Sequence, residues 1–286
     1  GFCAFSKGPR SLNLREDPYL LTVPQVVERS VEAWNRGATE VCLQGGIHPE
    51  FTGAFYVTVL EAIKEAVPGI HVHGFTPLEV WQGAATLGIS VRDFLQMLRD
   101  AGLGTLPGTA AEILDDRIRE HLCPDKIRTS QWAEVMITAH QLGLESTATI
   151  MFGHIDGPES WANHYEVIRR IQERTGGFTE FVPLPFVHMG APIYLQGRAR
   201  PGPTWDETVL IHAVARIAQA RNDVTQFVEV RIQRGGDDGH IVDALRLNDR
   251  LRDTQAGGQP VLIGIDGVIQ AHYGLGSVLS HLILDS

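Results

Sequence analysis

The chain has 286 residues and a formal net charge of −10, with 43% hydrophobic and 20% charged residues. These proportions are typical of globular domains, and they exclude a disordered or fibrous protein. The acidic balance disfavours a dedicated nucleic-acid binder, because such proteins carry basic surfaces for phosphates. We find no apolar run of eighteen residues and no charged-then-apolar leader. We therefore expect a cytoplasmic protein that acts on small molecules, with neither a nucleic-acid nor a membrane partner.

From about residue 24 the chain alternates amphipathic segments with short β-rich runs. Turn residues and helix-end signals separate these segments. Strands are predicted in "TEVCLQGG", "IHVHGFTP", "LGTLPGTA", "ESTATIMFGHID", "FTEFVPLPFVH" and "DVTQFVEVRI". Helices are predicted over "VPQVVERSVEAWNRGA", "GAFYVTVLEAIKEAVPG", "LEVWQGAATLG", "SVRDFLQMLRDAG", "AAEILDDRIREHL", "SQWAEVMITAHQLG", "ESWANHYEVIRRIQERTGG" and "TWDETVLIHAVARIAQARN".

This alternation implies right-handed crossovers and a parallel sheet. Five or more such units without a Rossmann glycine fingerprint favour a (β/α) TIM-type barrel of the α/β class. Residues 1–221 are predicted to form the barrel core. Residues 222–286 form an atypical C-terminal segment, which from "RGGDDGHIVDAL" onward is richer in Asp and Gly and is interpreted as helix, strand and helix. We expect this atypical C-terminal segment to complete or flank the barrel, which is incomplete at that end if the segment supplies no further βα unit.

The reacting groups of such barrels lie at the carboxyl ends of the strands, where the βα loops open. The predicted strand ends carry polar and glycine residues in the ranges 44–48, 73–76, 105–108, 153–156 and 183–188. Paired glycines such as Gly45 and Gly46 let a ligand approach the bare backbone, although a tight βα turn would explain them equally well.

His71 and His73 form an H-x-H pair, and strand alternation places both side chains on one face. With His154, His188 and Asp266 they give an alternative prediction, a zinc-dependent barrel hydrolase. The simpler interpretation is a set of hydrogen-bonded wall histidines, since a general-base carboxylate is missing at a clearly matching place.

The three cysteines, Cys3, Cys42 and Cys123, cannot form an even disulfide framework. Cys42 is predicted to be a buried small residue and Cys123 an ordinary loop thiol. Cys3 in "GFCAFSKGP" resembles the end of the radical S-adenosylmethionine motif C-x-x-x-C-x-aromatic-C, with Phe2 as the aromatic. On that alignment the two other cysteines would precede Gly1. We therefore expect an N-terminally truncated barrel, which does not assemble its cluster with the cysteines of this sequence alone. An inactive fragment is a further alternative.

Longer motifs sharpen the resemblance: "EVCLQGGIHPE", "IHVHGFTPLEV", "LPGTAAEILDD", "ATIMFGHID" and "RTGGFTEFVPLPFVH". Over about residues 1–221 they resemble the deazaflavin precursor enzymes, the CofH-like part of the FO synthase family. The aminofutalosine and cyclic dehypoxanthine futalosine synthases of menaquinone biosynthesis share "QGG-x-HP" and are the nearest alternative. After residue 221 the family's "Q-x-S-W" strand and glycine-rich stretch do not occur here.

The resemblance implies a radical transferase with a 4Fe-4S cluster and S-adenosyl-L-methionine as cofactors. A 5′-deoxyadenosyl radical activates L-tyrosine, and the 4-hydroxybenzyl group joins 5-amino-6-(D-ribitylamino)uracil in FO and coenzyme F(420) biosynthesis. The implied partners are a CofG-type radical subunit or domain and an electron donor. An enclosed barrel suits this chemistry because it shields a radical from water.

The same resemblance assigns roles residue by residue. Cys3 matches a cluster ligand, and Ile47 stands where the family has an acidic residue after the two glycines. The implied cofactor contacts are Phe2, Gly45, Gly46, Glu112 and Ile155. Glu112 is a candidate for a ribose or substrate contact, or else merely marks a helix start, and Ile155 is a candidate to pack on adenine. The candidate substrate contacts are His73, His154 and His188.

Overall fold

A computed structural model describes residues 20–219, 226–227, 230–233, 241–244 and 261–264. Its helices are α1 (Val23–Asn35), α2 (Gly53–Ala66), α3 (Pro77–Leu87), α4 (Val91–Asp100), α5 (Asp116–Leu122), α6 (Thr129–Gln141), α7 (Pro158–Thr175), α8 (Pro192–Leu195) and α9 (Trp205–Gln219). Its strands are β1 (Glu40–Gln44), β2 (His71–Gly74), β3 (Ser146–Phe152), β4 (Phe178–Pro185), β5 (Gln226–Phe227), β6 (Val230–Gln233), β7 (Ile241–Ala244) and β8 (Val261–Gly264).

Local sequence signals explain where many helices begin and end. Thr76 caps α3, accepts a hydrogen bond from the Glu79 amide and is followed by Pro77, which suits the first turn of a helix. Gly88 ends α3 in the left-handed conformation with φ 65°, and Gly176 ends α7 in the same way with φ 66°. Glycine takes this conformation at little cost, which is why these helices stop where the sequence predicts.

The strands form a parallel arrangement in two parts. β1 pairs in parallel with β2 and β8, while β4 pairs in parallel with β3 and β5. Residues 105–106 join the two parts, because Thr105 forms a parallel bridge with His73 and Leu106 forms one with Ser146. The resulting order is β8, β1, β2, residues 105–106, β3, β4 and β5. Strands β6 and β7 form a separate antiparallel pair.

The predicted α/β fold with parallel strands is therefore confirmed. Within the described ranges no pairing joins β5 to β8, so closure into a TIM-type barrel stays a prediction. In those same ranges every helix is too short or too polar to cross a lipid bilayer.

The helices cover one face of this sheet. Val41 and Leu43 of β1 pack in a core with α1, α2 and α3, and Ile150 and Phe152 of β3 pack in a second core with α6 and α7. Strand side chains alternate between faces, so the intervening residues lie on the opposite face, which we call the inner face. The inner face carries Glu40, Cys42, Gln44, His71, His73, Thr147, Thr149, Met151, Glu180, Val182 and Leu184.

The structure corrects the prediction of a helix over "AAEILDDRIREHL". Helix α5 begins only at Asp116, and residues 110–114 form a buried loop in which Ala110 has φ 59° and Glu112 has φ 45°. The Arg119 guanidinium, itself 3% exposed, donates to the carbonyl oxygens of Ala110, Ala111 and Ile113. These carbonyl oxygens are bonded by a side chain, Arg119, and not by the amides of a following helical turn.

Three smaller differences concern strands and cysteines. The strand predicted in "LGTLPGTA" reduces to the bridges at residues 105–106, and β7 lies in a region interpreted as helix. Cys42 is buried as predicted. Cys123 follows α5 but is also buried, with its side chain in the core between α5 and α6.

Candidate functional site

The glycine turn after β1 is tied to the end of β2 by a buried carboxylate. The Gly45 amide donates to Glu79 Oε1 (3.1 Å) and the Thr76 amide donates to Glu79 Oε2 (2.8 Å), while Glu79 is 1% exposed. Gly45 is half-buried and Gly46 is exposed, so the backbone of this turn is accessible to a ligand. Sequence reasoning did not single out Glu79, although the T-x-x-E capping box from Thr76 to Glu79 was the available signal.

A second link runs from β1 to the loop after residues 105–106. Thr109 Oγ1 donates to Gln44 Oε1 (2.8 Å), and both side chains are buried. Gln44 Nε2 in turn contacts the Cys42 sulfur at 3.1 Å. Burial raises the pKa of the Cys42 thiol to about 12, so this sulfur is protonated and belongs to the wall of the inner face.

Glu112 lies in the loop that Arg119 holds. Its carboxylate pairs with the Lys126 ammonium at 2.5 Å, and the Met151 amide donates to its carbonyl oxygen (2.7 Å), which places the loop against β3. Burial raises the pKa of Glu112, but Lys126, Arg119 and His154 together outweigh it and hold the pKa below its ordinary value. Glu112 is therefore an ionised, buried acceptor in a strained backbone conformation.

Side chains of helices α6 and α7 also form hydrogen bonds with the backbone of this loop and of the residue before it. The Trp132 indole donates to the Thr109 carbonyl (3.2 Å), and the Leu114 amide donates to His164 Nδ1 (3.0 Å). Burial, together with the charge of Arg119, lowers the pKa of His164 to about 3, so this histidine stays neutral and accepts. The loop carrying Glu112 is therefore fixed by contacts far away in sequence.

The turn after β3 is built on His154 and Asp156. His154 Nε2 contacts the Met151 carbonyl (3.0 Å), and its Nδ1 accepts from the Ile155 amide (2.8 Å). Burial lowers the pKa of His154, although Asp156 opposes the shift. Both ring nitrogens of His154 are therefore engaged by backbone groups of this turn. The predicted contact of His154 with a substrate stays a prediction, and it requires one of these two hydrogen bonds to break. Ile155 is half-buried beside this ring.

His73 and His71 share one partner on the inner face. Thr105 Oγ1 lies 2.7 Å from His73 Nδ1 and 2.9 Å from His71 Nε2. His188 follows β4, is half-buried, and packs its ring 4.4 Å from that of Tyr194. The substrate roles predicted for His73 and His188 stay predictions.

The predicted residues converge only in part. Glu112 and His154 are close enough for each to shift the pKa of the other. Gly45 is linked through Glu79 only to the turn after β2, at Thr76. In the described part of the chain no group of three or more His, Cys, Asp or Glu side chains could hold a metal ion, so the zinc alternative has no assembled site there. The predicted positions Phe2, Cys3 and Asp266 lie outside the described residues.

Known proteins resemble this chain in sequence. It is 50% identical over 236 residues to "FO synthase" of Mycobacterium leprae, a match that covers 82% of this chain and 27% of that protein. It is also 50% identical over 216 residues to "5-amino-6-(D-ribitylamino)uracil--L-tyrosine 4-hydroxyphenyl transferase" of Methanopyrus kandleri, covering 76% of this chain and 58% of that protein. The chain therefore spans about a quarter to somewhat over half the length of these relatives.

One solved structure supports the fold. The crystal structure of methylornithine synthase (PylB) superposes with a TM-score of 0.55 at 16% identity, covering 76% of this chain and 59% of that one.

The sequence profile described as "Radical SAM superfamily" matches residues 1–168, more than half of the chain. Membership of this superfamily implies a 4Fe-4S cluster and S-adenosyl-L-methionine as cofactors. The chain belongs to the Radical SAM superfamily.

Proposed function

We propose that this chain forms the catalytic core of a transferase that joins the 4-hydroxybenzyl group of L-tyrosine to 5-amino-6-(D-ribitylamino)uracil in FO biosynthesis. The observation that carries the proposal is 50% identity over 216 residues to the Methanopyrus kandleri protein with that name. The deazaflavin motifs of the sequence point to the same activity.

The proposal includes a closed (β/α) barrel, with residues 1–221 as its core and residues 222–286 completing it. β5 and β8 lie at the two outer edges of the parallel arrangement, where the closing strands of a barrel would be needed. This position supports a role for the C-terminal segment in the barrel itself.

The inner face suits polar substrates. The interior of an ordinary TIM barrel is packed with Val, Ile and Leu, whereas here Gln44, His73, Thr147 and Thr149 lie on the inner face and are buried. Gln44 accepts from Thr109, and Thr147 and Thr149 bond the Gly108 backbone. Protein partners therefore already satisfy these three side chains and keep the inner face polar. An amino acid and a diaminouracil each carry several donors and acceptors, and they match a wall of this kind.

The described residues fit S-adenosyl-L-methionine. The accessible backbone of Gly45 and Gly46 would hold the methionine end, the ionised Glu112 would accept from ribose hydroxyls, and Ile155 offers an apolar surface to adenine. When bound, the two cofactors supply the carbon-centred radical that activates tyrosine. Glu79 orients the Gly45 amide, and Arg119 and Lys126 keep the Glu112 loop in place and its carboxylate ionised.

Among the three cysteines of this sequence, we assign cluster ligation to Cys3. A cluster must reach the sulfur atoms that bind it. Cys42 and Cys123 are only 3% and 2% exposed and are enclosed in the fold. Cys3 lies outside the described residues.

We also propose a CofG-type partner, as subunit or domain, and an electron donor. The match covers 27% of the Mycobacterium leprae FO synthase, so that protein is long enough to contain a second domain of this kind. The partner would convert the tyrosine-derived adduct to the deazaflavin.

The test uses the full-length protein that contains this chain, reconstituted anaerobically with iron and sulfide and reduced with dithionite. We expect 5′-deoxyadenosine and a tyrosine–diaminouracil adduct, measured by mass spectrometry, only when both substrates are present. Turnover of a futalosine-type substrate instead would assign the protein to the menaquinone enzymes. Bound zinc without iron would favour the hydrolase.

A matched pair of variants tests the site. Glu112→Gln removes the buried charge and is expected to weaken S-adenosyl-L-methionine binding by about 10- to 100-fold, the usual loss for a hydrogen bond to a charged group. Glu120→Gln changes a carboxylate that is 59% exposed and should leave binding unchanged. Thermal melting of both variants separates lost binding from lost folding, and equal affinities would remove Glu112 from the site.

A further inference from the structure

The hydroxyl of Thr105 lies between two imidazoles on the inner face. Its Oγ1 is 2.7 Å from His73 Nδ1 and 2.9 Å from His71 Nε2. A threonine hydroxyl has one hydrogen to donate, so it donates to one ring and accepts from the other. The direction of this short chain decides which nitrogen of His73 carries a hydrogen.

The group is held rigidly. The His71 ring lies against Gly104, where an added Cβ would come within 2.3 Å of Cε1 and 2.6 Å of Nδ1. The Gly104 amide donates to the Val72 carbonyl (2.9 Å), and the Gly74 amide donates to the Thr105 carbonyl (3.0 Å). Glycine at 104 therefore makes room for the ring, and β2 fixes the hydroxyl between the two histidines.

Glu40 sets the direction. Its Oε2 is 3.6 Å from His71 Nε2, the same nitrogen that contacts Thr105. Burial and the nearby Lys64 ammonium lower the pKa of His71, so the ring is neutral and has one N–H. Burial raises the pKa of Glu40 to about 7, so its carboxylate is ionised at pH 8. At that pH a hydrogen on Nε2 faces two acceptors, the Thr105 oxygen and the Glu40 carboxylate, whereas a bare Nε2 would turn its lone pair towards that carboxylate. Glu180 lies close enough to Glu40 to raise its pKa further.

We propose that His71 and Thr105 are positioning residues that fix His73 as the tautomer with its hydrogen on Nε2. His71 donates to the Thr105 oxygen, and the Thr105 hydroxyl donates to His73 Nδ1. In its neutral form His73 is then a donor, and it recognises a carbonyl or carboxylate oxygen of the substrate. This last step rests on the proposed function, where the oxygen belongs to the diaminouracil ring or to the tyrosine carboxylate.

The tautomer is measured directly in the full-length protein with ¹⁵N-labelled histidine, by long-range ¹H–¹⁵N correlation at pH 8, with His73→Gln to assign the signal. We expect His73 Nδ1 in the unprotonated range and Nε2 in the protonated range. A hydrogen on Nδ1 in the wild type overturns the proposal. Because this measurement needs no substrate, it stands apart from the proposed transferase activity.

Two substitutions test the role of the hydroxyl. Thr105→Ser keeps the donor and should keep the single tautomer, while Thr105→Val removes it and should give a mixture. A single unchanged tautomer in Thr105→Val contradicts the proposal, and if that variant does not fold, the wild-type spectrum still decides.

Calorimetry with L-tyrosine and with the diaminouracil, each alone, then identifies the oxygen. We expect Thr105→Val to weaken the affinity for one of them about tenfold, typical of one hydrogen bond, and Thr105→Ser to restore it. Loss for neither substrate overturns the contact. If the wild-type protein binds neither L-tyrosine nor the diaminouracil, the proposed function is overturned, whereas the tautomer measurement keeps its meaning.

Discussion

Replacing Glu40 by Gln should change how the stability of this protein depends on pH. Glu40 begins β1 on the inner face, and 30% of its side chain is exposed. Burial, reinforced by the Glu180 carboxylate, raises the pKa of Glu40 from 4.5 to about 7. The folded state therefore binds the proton more tightly than the unfolded chain does.

The sign and size follow from proton linkage. The stabilisation from neutral Glu40 is complete below pH 4.5 and is lost as the pH rises through 7. At 1.36 kcal/mol per pKa unit, the free energy of unfolding of the wild type falls by about 2.5 kcal/mol between pH 5 and pH 8 through this group. Because part of the side chain is exposed, solvent screening reduces this loss towards about 1 kcal/mol. Glutamine does not titrate, so Glu40→Gln keeps this stability.

The assay is urea unfolding of both proteins at pH 5 and pH 8. We expect the free energy of unfolding of Glu40→Gln, relative to wild type, to rise by about 1 to 2.5 kcal/mol between the two pH values. Glu61→Gln, at an exposed position of α2, is the matched control and should show a difference within about 0.5 kcal/mol at either pH. A relative stability of Glu40→Gln that is flat or falls with pH would refute the assigned environment of Glu40.

Three further outcomes follow from the packing. Arg119→Met should lower the free energy of unfolding by about 3 kcal/mol, because the buried loop carbonyl oxygens lose their hydrogen-bond donor. An unchanged urea midpoint would contradict the role of Arg119 in this loop. Gly104→Ala should lower the free energy of unfolding by about 1 to 3 kcal/mol, because the added methyl group overpacks against the His71 ring. In a double-mutant cycle, adding His71→Ala should recover most of this loss. Purely additive losses would show that the ring does not lie against residue 104. Thr109→Val should cost about 1 to 3 kcal/mol by leaving Gln44 without its donor, whereas Thr109→Ser should retain most of the stability in the same urea assay.

The sequence by itself determined the alternation of helices and parallel strands and many of their ends. Apolar periodicity and end signals such as Thr76 before α3 and Gly88 after it act over a few residues, so they can be recognised without a fold. Period-two alternation likewise predicted that His71 and His73 share a face, and both contact Thr105.

Only the tertiary structure decided which polar groups meet. The loop around Glu112 was predicted to be helical, but Arg119 takes its carbonyls and Lys126 takes its carboxylate. Glu79 reaches back 34 residues to the Gly45 amide, and Glu180 of β4 raises the pKa of Glu40 in β1. Such contacts depend on how a sheet brings distant strands and loops together, because a hydrogen bond or a charge acts through space and a sequence records only order along the chain.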